Sequence, residues 1–129
     1  VASSPVAGIV ELGPLATTSD LGINAGAVLG PAIKGWDWNA RPEDFRTRAF
    51  VDGDLAGEGS AAAIPGGFLA ALEFLLAQLA SRGRSLKAGD VILTGMTNGV
   101  HKVRPGSNLQ IEFTGTVTMD VGVIAKLPE

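Results

Sequence analysis

Apolar and polar side chains alternate along two stretches near the end of the chain. Apolar residues occupy every second position in 109–113 and again in 117–123. This period of two predicts strands with one buried face and one exposed face. Two other apolar runs, at 6–12 and 91–93, predict further strands.

Turn residues separate these predicted strands. A hairpin is predicted over 48–57, because Asp52 and Gly53 suit the positive φ angles of a type I′ turn. Pro105 and Gly106 stand in the order that a type II turn requires, just before the first alternating strand. The sequence therefore indicates several short strands joined by tight turns.

One segment has the pattern of a helix rather than a strand. Apolar side chains in 68–82 occupy most of the circumference of a helix, which predicts that it is buried on most sides. Gly83 is a natural left-handed stop for this helix, and 15–24 is predicted to be a loop. The predicted fold is mainly β with α, a β-roll or barrel-like mixed sheet wrapped around one buried helix.

The composition fits a single domain that spans residues 1–129. Apolar residues make up 46% of the 129 residues, enough to enclose one core. A net charge of −3 without a basic cluster argues against nucleic acid and anionic membranes as partners. The longest strongly apolar run, 68–80, is shorter than the roughly 20 residues of a membrane span. Cysteine is absent, which excludes disulfides and fits a cytoplasmic location.

Two carboxylates near the start of the chain are candidates for chemistry. Glu11 interrupts a predicted apolar strand, where it either faces water from an edge or is held inward as a metal ligand. Asp20 lies among small residues and is a helix cap, a turn residue or a general acid/base. The residues alone leave Glu11 evenly divided and favour the structural role for Asp20.

A polar segment with two glycines follows the last of the short predicted strands. Thr94, Gly95 and Thr97 could bind a carboxylate through hydroxyl and backbone N–H groups. The alternative is an ordinary loop, because Asn-Gly, found at 98–99, is a common turn pair. Both readings stay open on the residues alone.

Three further residues have side chains that often occur in sites. His101 is the only histidine, and its lysine neighbour favours a solvated residue over a catalyst. Trp36 and Trp38 flank Asp37 and could line an apolar pocket or a partner surface, although ordinary packing is the default.

Four segments together carry a resemblance to a known family: FLAALEFL at 68–75, LASRGR at 79–84, AGDVILTG at 88–95 and VRPG at 103–106. Their order resembles the fumarylacetoacetate hydrolase superfamily, and within it the branch of 2-keto-4-pentenoate hydratases and 4-oxalocrotonate decarboxylases. The resemblance implies a fumarylacetoacetase C-terminal-like fold. It also implies that the chain is the carboxy-terminal half of a larger catalytic unit, as a subunit, a cleavage product or a fragment.

The same resemblance implies roles for the candidate residues. The segment AGIVEL at 7–12 is similar to the family strand that supplies a ligand to Mg²⁺ or Mn²⁺, which makes Glu11 the implied metal ligand. Asp20 matches the family's acidic loop and is the implied catalytic acid/base. The family's Asp-Asn-Ala-Ser is DLGI at 20–23 here, so the nearest available amide belongs to Asn24. The implied contacts to the substrate are Asn24, Thr94, Gly95 and Thr97.

The family takes two more metal ligands from a Glu-x-Glu pair, which this chain does not contain. The resemblance therefore implies a second polypeptide that supplies the amino-terminal half and this pair, in an oligomer. The implied reaction is hydration of a small 2-hydroxydienoic or 2-keto acid in aromatic compound catabolism, by a carbon–oxygen lyase. Decarboxylation of a 2-keto diacid, hydrolysis of an acylpyruvate, and a non-catalytic subunit that kept the fold are the alternatives.

Overall fold

The computed structural model describes residues 4–115 and 117–125 of the chain. They form two compact units, the first ending at Gly30 and the second beginning at Pro31. The single domain expected over 1–129 stays a prediction. No helix within the described part of the chain is long and apolar enough to cross a membrane.

The first unit begins with turns where the sequence predicted a strand. The N–H of Leu12 donates to the carbonyl of Gly8 at 3.2 Å, and the N–H of Gly13 donates to the carbonyl of Val10 at 3.1 Å. Gly8 has a φ angle of 66°, a left-handed conformation that bends the chain. The strand predicted over 6–12 is therefore wrong, because local bonds occupy backbone groups that a strand ladder would need.

A short helix, α1, spans Pro14–Ser19 in place of the predicted loop. Pro14 suits the start of a helix, where a backbone N–H has no intrahelical partner. Asp20 follows as the C-cap, and its N–H donates to the carbonyl of Ala16 at 3.1 Å. A 3₁₀ turn at Leu21–Ile23 comes next. The prediction of a loop over 15–24 missed both turns because small polar residues carry no helical periodicity.

The second unit contains one open, four-stranded antiparallel sheet with the order β2-β1-β3-β4. The strands are β1 (Arg46–Val51), β2 (Asp54–Ser60), β3 (Asn108–Phe113) and β4 (Val117–Gly122). Because the sheet is open and its strand pairs are all antiparallel, the predicted barrel-like mixed sheet is not confirmed. The coarser prediction of a small fold with strands and a helix is confirmed.

The predicted turns lie where the sequence places them. Asp52 and Gly53 join β1 to β2 with φ angles of 53° and 91°, as a type I′ hairpin requires. Gly106 has a φ angle of 95°, and the N–H of Ser107 donates to the carbonyl of Arg104 at 2.9 Å. The strand predicted at 91–93 is wrong: these residues have no regular structure. Three apolar residues are too short a pattern to specify a strand.

Helix α2 spans Gly67–Ser81, one residue from each predicted end. Gly83 has a φ angle of 65°, as expected of a helix stop. Its burial is a correction: Phe74 is 68% exposed and Leu76 is 45% exposed. The apolar pattern identifies surfaces that favour burial, and most of this helix surface is uncovered in the described residues.

The buried core of the described residues is small and lies around β1. Thr47 and Ala49 are each 2% exposed and share one face of this strand. Ala61 and Ile64, which lie between β2 and α2, complete the core at 0% and 7% exposure. The 3₁₀ turn Ala61–Ala63 begins with a cap in which the Ser60 hydroxyl accepts the N–H of Ala62.

Candidate functional site

Residues 94–101, called the segment after residue 93, are fixed to the core by a side-chain hydrogen bond. The hydroxyls of Thr97 and Thr47 are 2.8 Å apart, and these residues are fifty positions apart in sequence. Thr47 is nearly fully buried in β1, which is central in the sheet. Because a buried hydroxyl is costly without a partner, this bond ties the conformation of Thr97 to the core.

Glycines in β2 let the same segment lie directly against the sheet. A Cβ atom at Gly59 would overlap the backbone carbonyl of Thr97, and one at Gly57 would overlap the carbonyl of Asn98 and the ring of His101. The Nε2 atom of His101 lies 2.9 Å from that same Asn98 carbonyl. His101 is half-buried, so this contact leaves its ring partly exposed.

The two threonines of the segment line one concave pocket of about 450 Å³. Four aromatic residues form its walls: Trp36, Trp38, Phe45 and Phe68. Gly95 lies close by, since a Cβ atom there would be 3.6 Å from Ile64, another residue of the pocket. The structure therefore places Thr94 and Thr97 in the lining of one mainly apolar pocket, with Gly95 close to it, and their role as substrate contacts stays a prediction.

The aromatic rings of this pocket contact one another. Trp36 meets Phe45 edge to face at a centroid distance of 5.0 Å, and Phe45 meets Phe68 at 5.6 Å. Trp38 lies 6.2 Å from Phe68. The indole Nε1 of Trp36 is buried and has no hydrogen-bond partner among the described residues. An indole N–H usually finds a partner when it is buried, so this unpartnered group is an exception.

The other candidate residues belong to the first unit. Glu11 is exposed and lies in the turns before α1. Asp20 is half-buried, and its Oδ2 atom is buried with no hydrogen-bond partner in the described part of the chain. Asn24 is exposed, and its side-chain oxygen accepts the N–H of Gly26 at 2.9 Å. Asn24 thus forms a local turn.

The backbone around Asp20 is strained. Leu21 and Ile23 have φ angles of 52° and 57°. A left-handed conformation is unfavourable for a β-branched residue such as Ile23. Strain of this kind is concentrated at functional sites, although it does not by itself define one.

Neither unit shows a complete metal site within the described residues. They contain no cluster of three or more His, Cys, Asp or Glu side chains that could hold a metal ion. A hard divalent cation prefers several oxygen ligands, and Mg²⁺ prefers six in an octahedron. Glu11 alone does not provide such a donor set.

One ion pair changes a pKa in the second unit. Arg41 donates two hydrogen bonds to Asp44, at 3.2 and 3.0 Å, in the turn before β1. These bonds lower the pKa of the Asp44 carboxyl below its ordinary value, and the attraction of Arg41 adds to that effect. The same partner raises the pKa of Arg41.

Sequence reasoning missed Thr47, Gly57 and Gly59. A signal for Thr47 was present, since the alternation of Arg46, Thr47, Arg48 and Ala49 places the threonine on the same face as Ala49. The glycines of β2 carried only a general signal, since glycine inside a strand often marks a close approach of another backbone. What approaches them could not be read from the strand itself.

Comparison with known families identifies the class of fold. The family model described as the C-terminal domain of fumarylacetoacetate hydrolase matches residues 11–124. The chain belongs to the fumarylacetoacetate hydrolase family, which confirms the resemblance seen in its segments.

Individual relatives are enzymes that are longer than this chain. The bifunctional isomerase/decarboxylase of 4-hydroxyphenylacetate degradation from Salmonella dublin is 32% identical over 87 residues, which is 67% of this chain and 19% of the relative. Two structures of 4-oxalocrotonate decarboxylase from Pseudomonas putida G7 are 26% identical, each with a TM-score of 0.60. The complex with calcium and acetate aligns with 65% of this chain, and the complex with magnesium and adipate with 64%.

The chain spans 33% or less of these relatives' lengths. The activities in the names of these relatives belong to the whole proteins, of which this chain corresponds to a part.

Proposed function

We propose that this chain is a subunit or fragment of a divalent-metal-dependent lyase that hydrates a small 2-hydroxydienoic or 2-keto acid. The observation that carries the proposal is the pocket in which the hydroxyls of Thr94 and Thr97 stand beside aromatic walls. A short unsaturated acid has the matching parts, a carboxylate for the hydroxyls and an apolar tail for the rings.

Each candidate residue has a role in the proposed reaction. Thr94, Gly95 and Thr97 bind the substrate carboxylate, with Asn24 as a further contact. Asp20 moves a proton as the acid/base. Its Oδ2 atom supports this role, because no group in the described residues forms a hydrogen bond with it. Glu11 is one ligand of Mg²⁺ or Mn²⁺. A divalent cation supplies stabilisation of the enolate charge in this chemistry.

The rest of the metal site is proposed to come from a second polypeptide with a Glu-x-Glu pair. The described residues support this view because they contain no complete donor cluster. Helix α2 adds to it, because its Phe74 ring is 68% exposed and is available for a contact with that polypeptide. A cytoplasmic, oligomeric enzyme remains part of the proposal.

Decarboxylation of a 2-keto diacid is the second candidate. The names of the relatives favour it, since both are decarboxylases. Stabilisation of an enolate serves hydration and decarboxylation alike, so the scaffold does not separate them.

The test is an assay of the chain copurified with its partner. We expect loss of the dienoate absorbance when 2-hydroxypenta-2,4-dienoate is added with Mg²⁺ or Mn²⁺. Carbon dioxide release from 4-oxalocrotonate without hydration would instead establish decarboxylation. A folded complex that turns over neither acid with any divalent metal would leave the non-catalytic subunit as the correct reading.

Two variants test the assigned residues in that complex. Glu11→Gln is expected to weaken metal binding at least tenfold, measured by titration of the metal, because one charged ligand is lost. Glu43→Gln is the control, since Glu43 is an exposed carboxylate of the second unit. Unchanged metal affinity in Glu11→Gln would remove Glu11 from the site. Asp20→Asn is expected to lower kcat more than it changes metal affinity.

A further inference from the structure

The pocket beside Thr94 and Thr97 is lined without any charged side chain. Its lining in the described residues consists of Ile, Leu, Ala, Phe, Trp and Thr. The polar side chains of this lining are those of Thr94 and Thr97, and both are neutral.

The size of the pocket is that of a small-molecule site. Its volume of about 450 Å³ falls within the range of about 300–1,000 Å³ of ligand pockets. Aromatic side chains recognise flat, unsaturated groups by stacking and edge contacts. A planar dienoic tail therefore matches the walls formed by Trp36, Phe45 and Phe68.

Charge separates the two kinds of acid that could enter. A carboxylate buried in apolar surroundings is strongly unfavourable unless a cation or several hydrogen bonds compensate it. The neutral donors offer such bonds to one carboxylate. A second carboxylate at the far end of the same diene would lie against apolar and aromatic side chains, with no lysine, arginine or histidine in the lining.

We propose that this pocket selects monocarboxylic acids with a planar, uncharged tail and rejects dicarboxylic acids of the same length. The inference rests on the proposed function for the orientation of the bound acid, whose carboxylate lies at Thr94 and Thr97. It makes Leu69, which lines the pocket from α2, a specificity-determining residue. It also separates this pocket from one suited to a 2-keto diacid.

The test uses two unreactive acids that share one six-carbon diene. Sorbate carries a methyl group where muconate carries its second carboxylate. The chain has two tryptophans, and both line the pocket, so tryptophan fluorescence reports on this place. In titrations of the copurified complex, or of the chain if it purifies alone, we expect saturable quenching by sorbate. Muconate is expected to bind on the order of tenfold more weakly or worse.

A matched pair of leucines on α2 tests the position. Leu69 is 41% exposed and lines the pocket, whereas Leu76 is 45% exposed and is not part of its lining. Leu69→Lys adds a cation at the pocket and is expected to improve muconate binding relative to sorbate by about tenfold. Leu76→Lys adds the same charge elsewhere on the helix and is expected to leave the ratio unchanged. Circular dichroism checks that both variants fold.

The outcomes separate this inference from the proposed function, because binding of these acids needs no turnover. Equal affinity for the two acids, or no saturable quenching of folded protein, overturns the inference even if hydratase activity is found. An equal change in both lysine variants also overturns it, since the selectivity would then reflect overall charge. Selective sorbate binding that only Leu69→Lys alters supports the pocket, even if the complex has no hydratase activity.

Discussion

The sheet and helix α2 differ in how their apolar residues are used. In β1, the inward positions Thr47 and Ala49 are each 2% exposed. In α2, Gly67 is the only buried residue, and Phe74 is 68% exposed. Both elements were predicted from the sequence, yet within the described residues only the inward face of β1 is covered. Local pattern therefore determines the element, whereas burial depends on what packs against it.

The segment after residue 93 explains much of this difference. It covers β1 and β2 through the Thr47–Thr97 hydrogen bond and through close approach to Gly57 and Gly59. The corresponding surface of α2 borders two concave pockets instead. The sheet side should thus be sensitive to small changes, and the exposed side of the helix should tolerate large ones.

The largest effect is expected from Gly59→Ala. The new methyl group would overlap the backbone carbonyl of Thr97, which cannot move aside as a flexible side chain would. Overpacking of this kind costs about 1–3 kcal/mol or more. Urea unfolding followed by circular dichroism measures the loss.

Gly122→Ala is the matched control for that substitution. Gly122 lies at the end of β4 with open space around its potential Cβ atom. Alanine there should be neutral or stabilise slightly, because it reduces the freedom of the unfolded chain. Similar losses in both variants would show that the segment after residue 93 does not rest on β2.

A smaller effect is expected from Thr47→Val, which keeps the shape of the side chain and removes its hydroxyl. The loss should be about 1–2 kcal/mol, because the hydrogen bond to Thr97 disappears. Thr47→Ser should recover part of it. Thr118→Val, at an exposed position of β4, is the control.

A double-mutant cycle isolates the threonine pair from other effects. If the hydroxyls interact as the structure shows, Thr97→Val should cost less in the Thr47→Val background than alone, with a coupling of about 1 kcal/mol. Additive losses would mean that the two hydroxyls act independently. In that case Thr97 would not be positioned by the core.

The sequence predicted the features that depend on local pattern and missed those that depend on packing between distant residues. The hairpin at Asp52-Gly53, the helix near 68–82 and the alternating strand β4 depend on local pattern, and the structure confirms them. The strand expected around Glu11 failed because Gly8 turns the chain and local bonds form there. A short apolar run does not specify its own partner.

The candidate site shows the same limit. Thr94, Gly95 and Thr97 were predicted to contact a substrate from a polar segment close in sequence. Thr94 and Thr97 line one pocket and Gly95 lies close to it, and the contact with a substrate stays a prediction. The aromatic walls come from residues far apart along the chain, so only Trp36 and Trp38 gave a hint of them. Thr47 became visible only when the fold brought it to Thr97.

Phe74→Lys should change the stability of the free chain by less than about 0.5 kcal/mol, because the ring is largely exposed. Glu73→Gln, next to it on α2, raises the net charge by the same amount and is the control. Urea unfolding of the chain alone gives the comparison. A loss above about 2 kcal/mol would mean that another surface covers this ring in solution. The apolar residues of α2 would then be covered, as those of β1 are.

The smallest effect is expected at the ion pair of Arg41 and Asp44, whose side chains are 77% and 45% exposed. Because Arg41 lowers the pKa of Asp44, the pair stabilises the fold above the ordinary pKa of an aspartate, and this contribution is lost as the pH falls through the lowered value. The Tm of Asp44→Asn should therefore lie slightly below that of the wild type at neutral pH. The gap should close below about pH 4. Glu43→Gln changes the charge equally but leaves both hydrogen bonds in place, so its gap should be smaller. A gap that widens in acid would contradict the assigned pair, since protonated Asp44 no longer attracts Arg41.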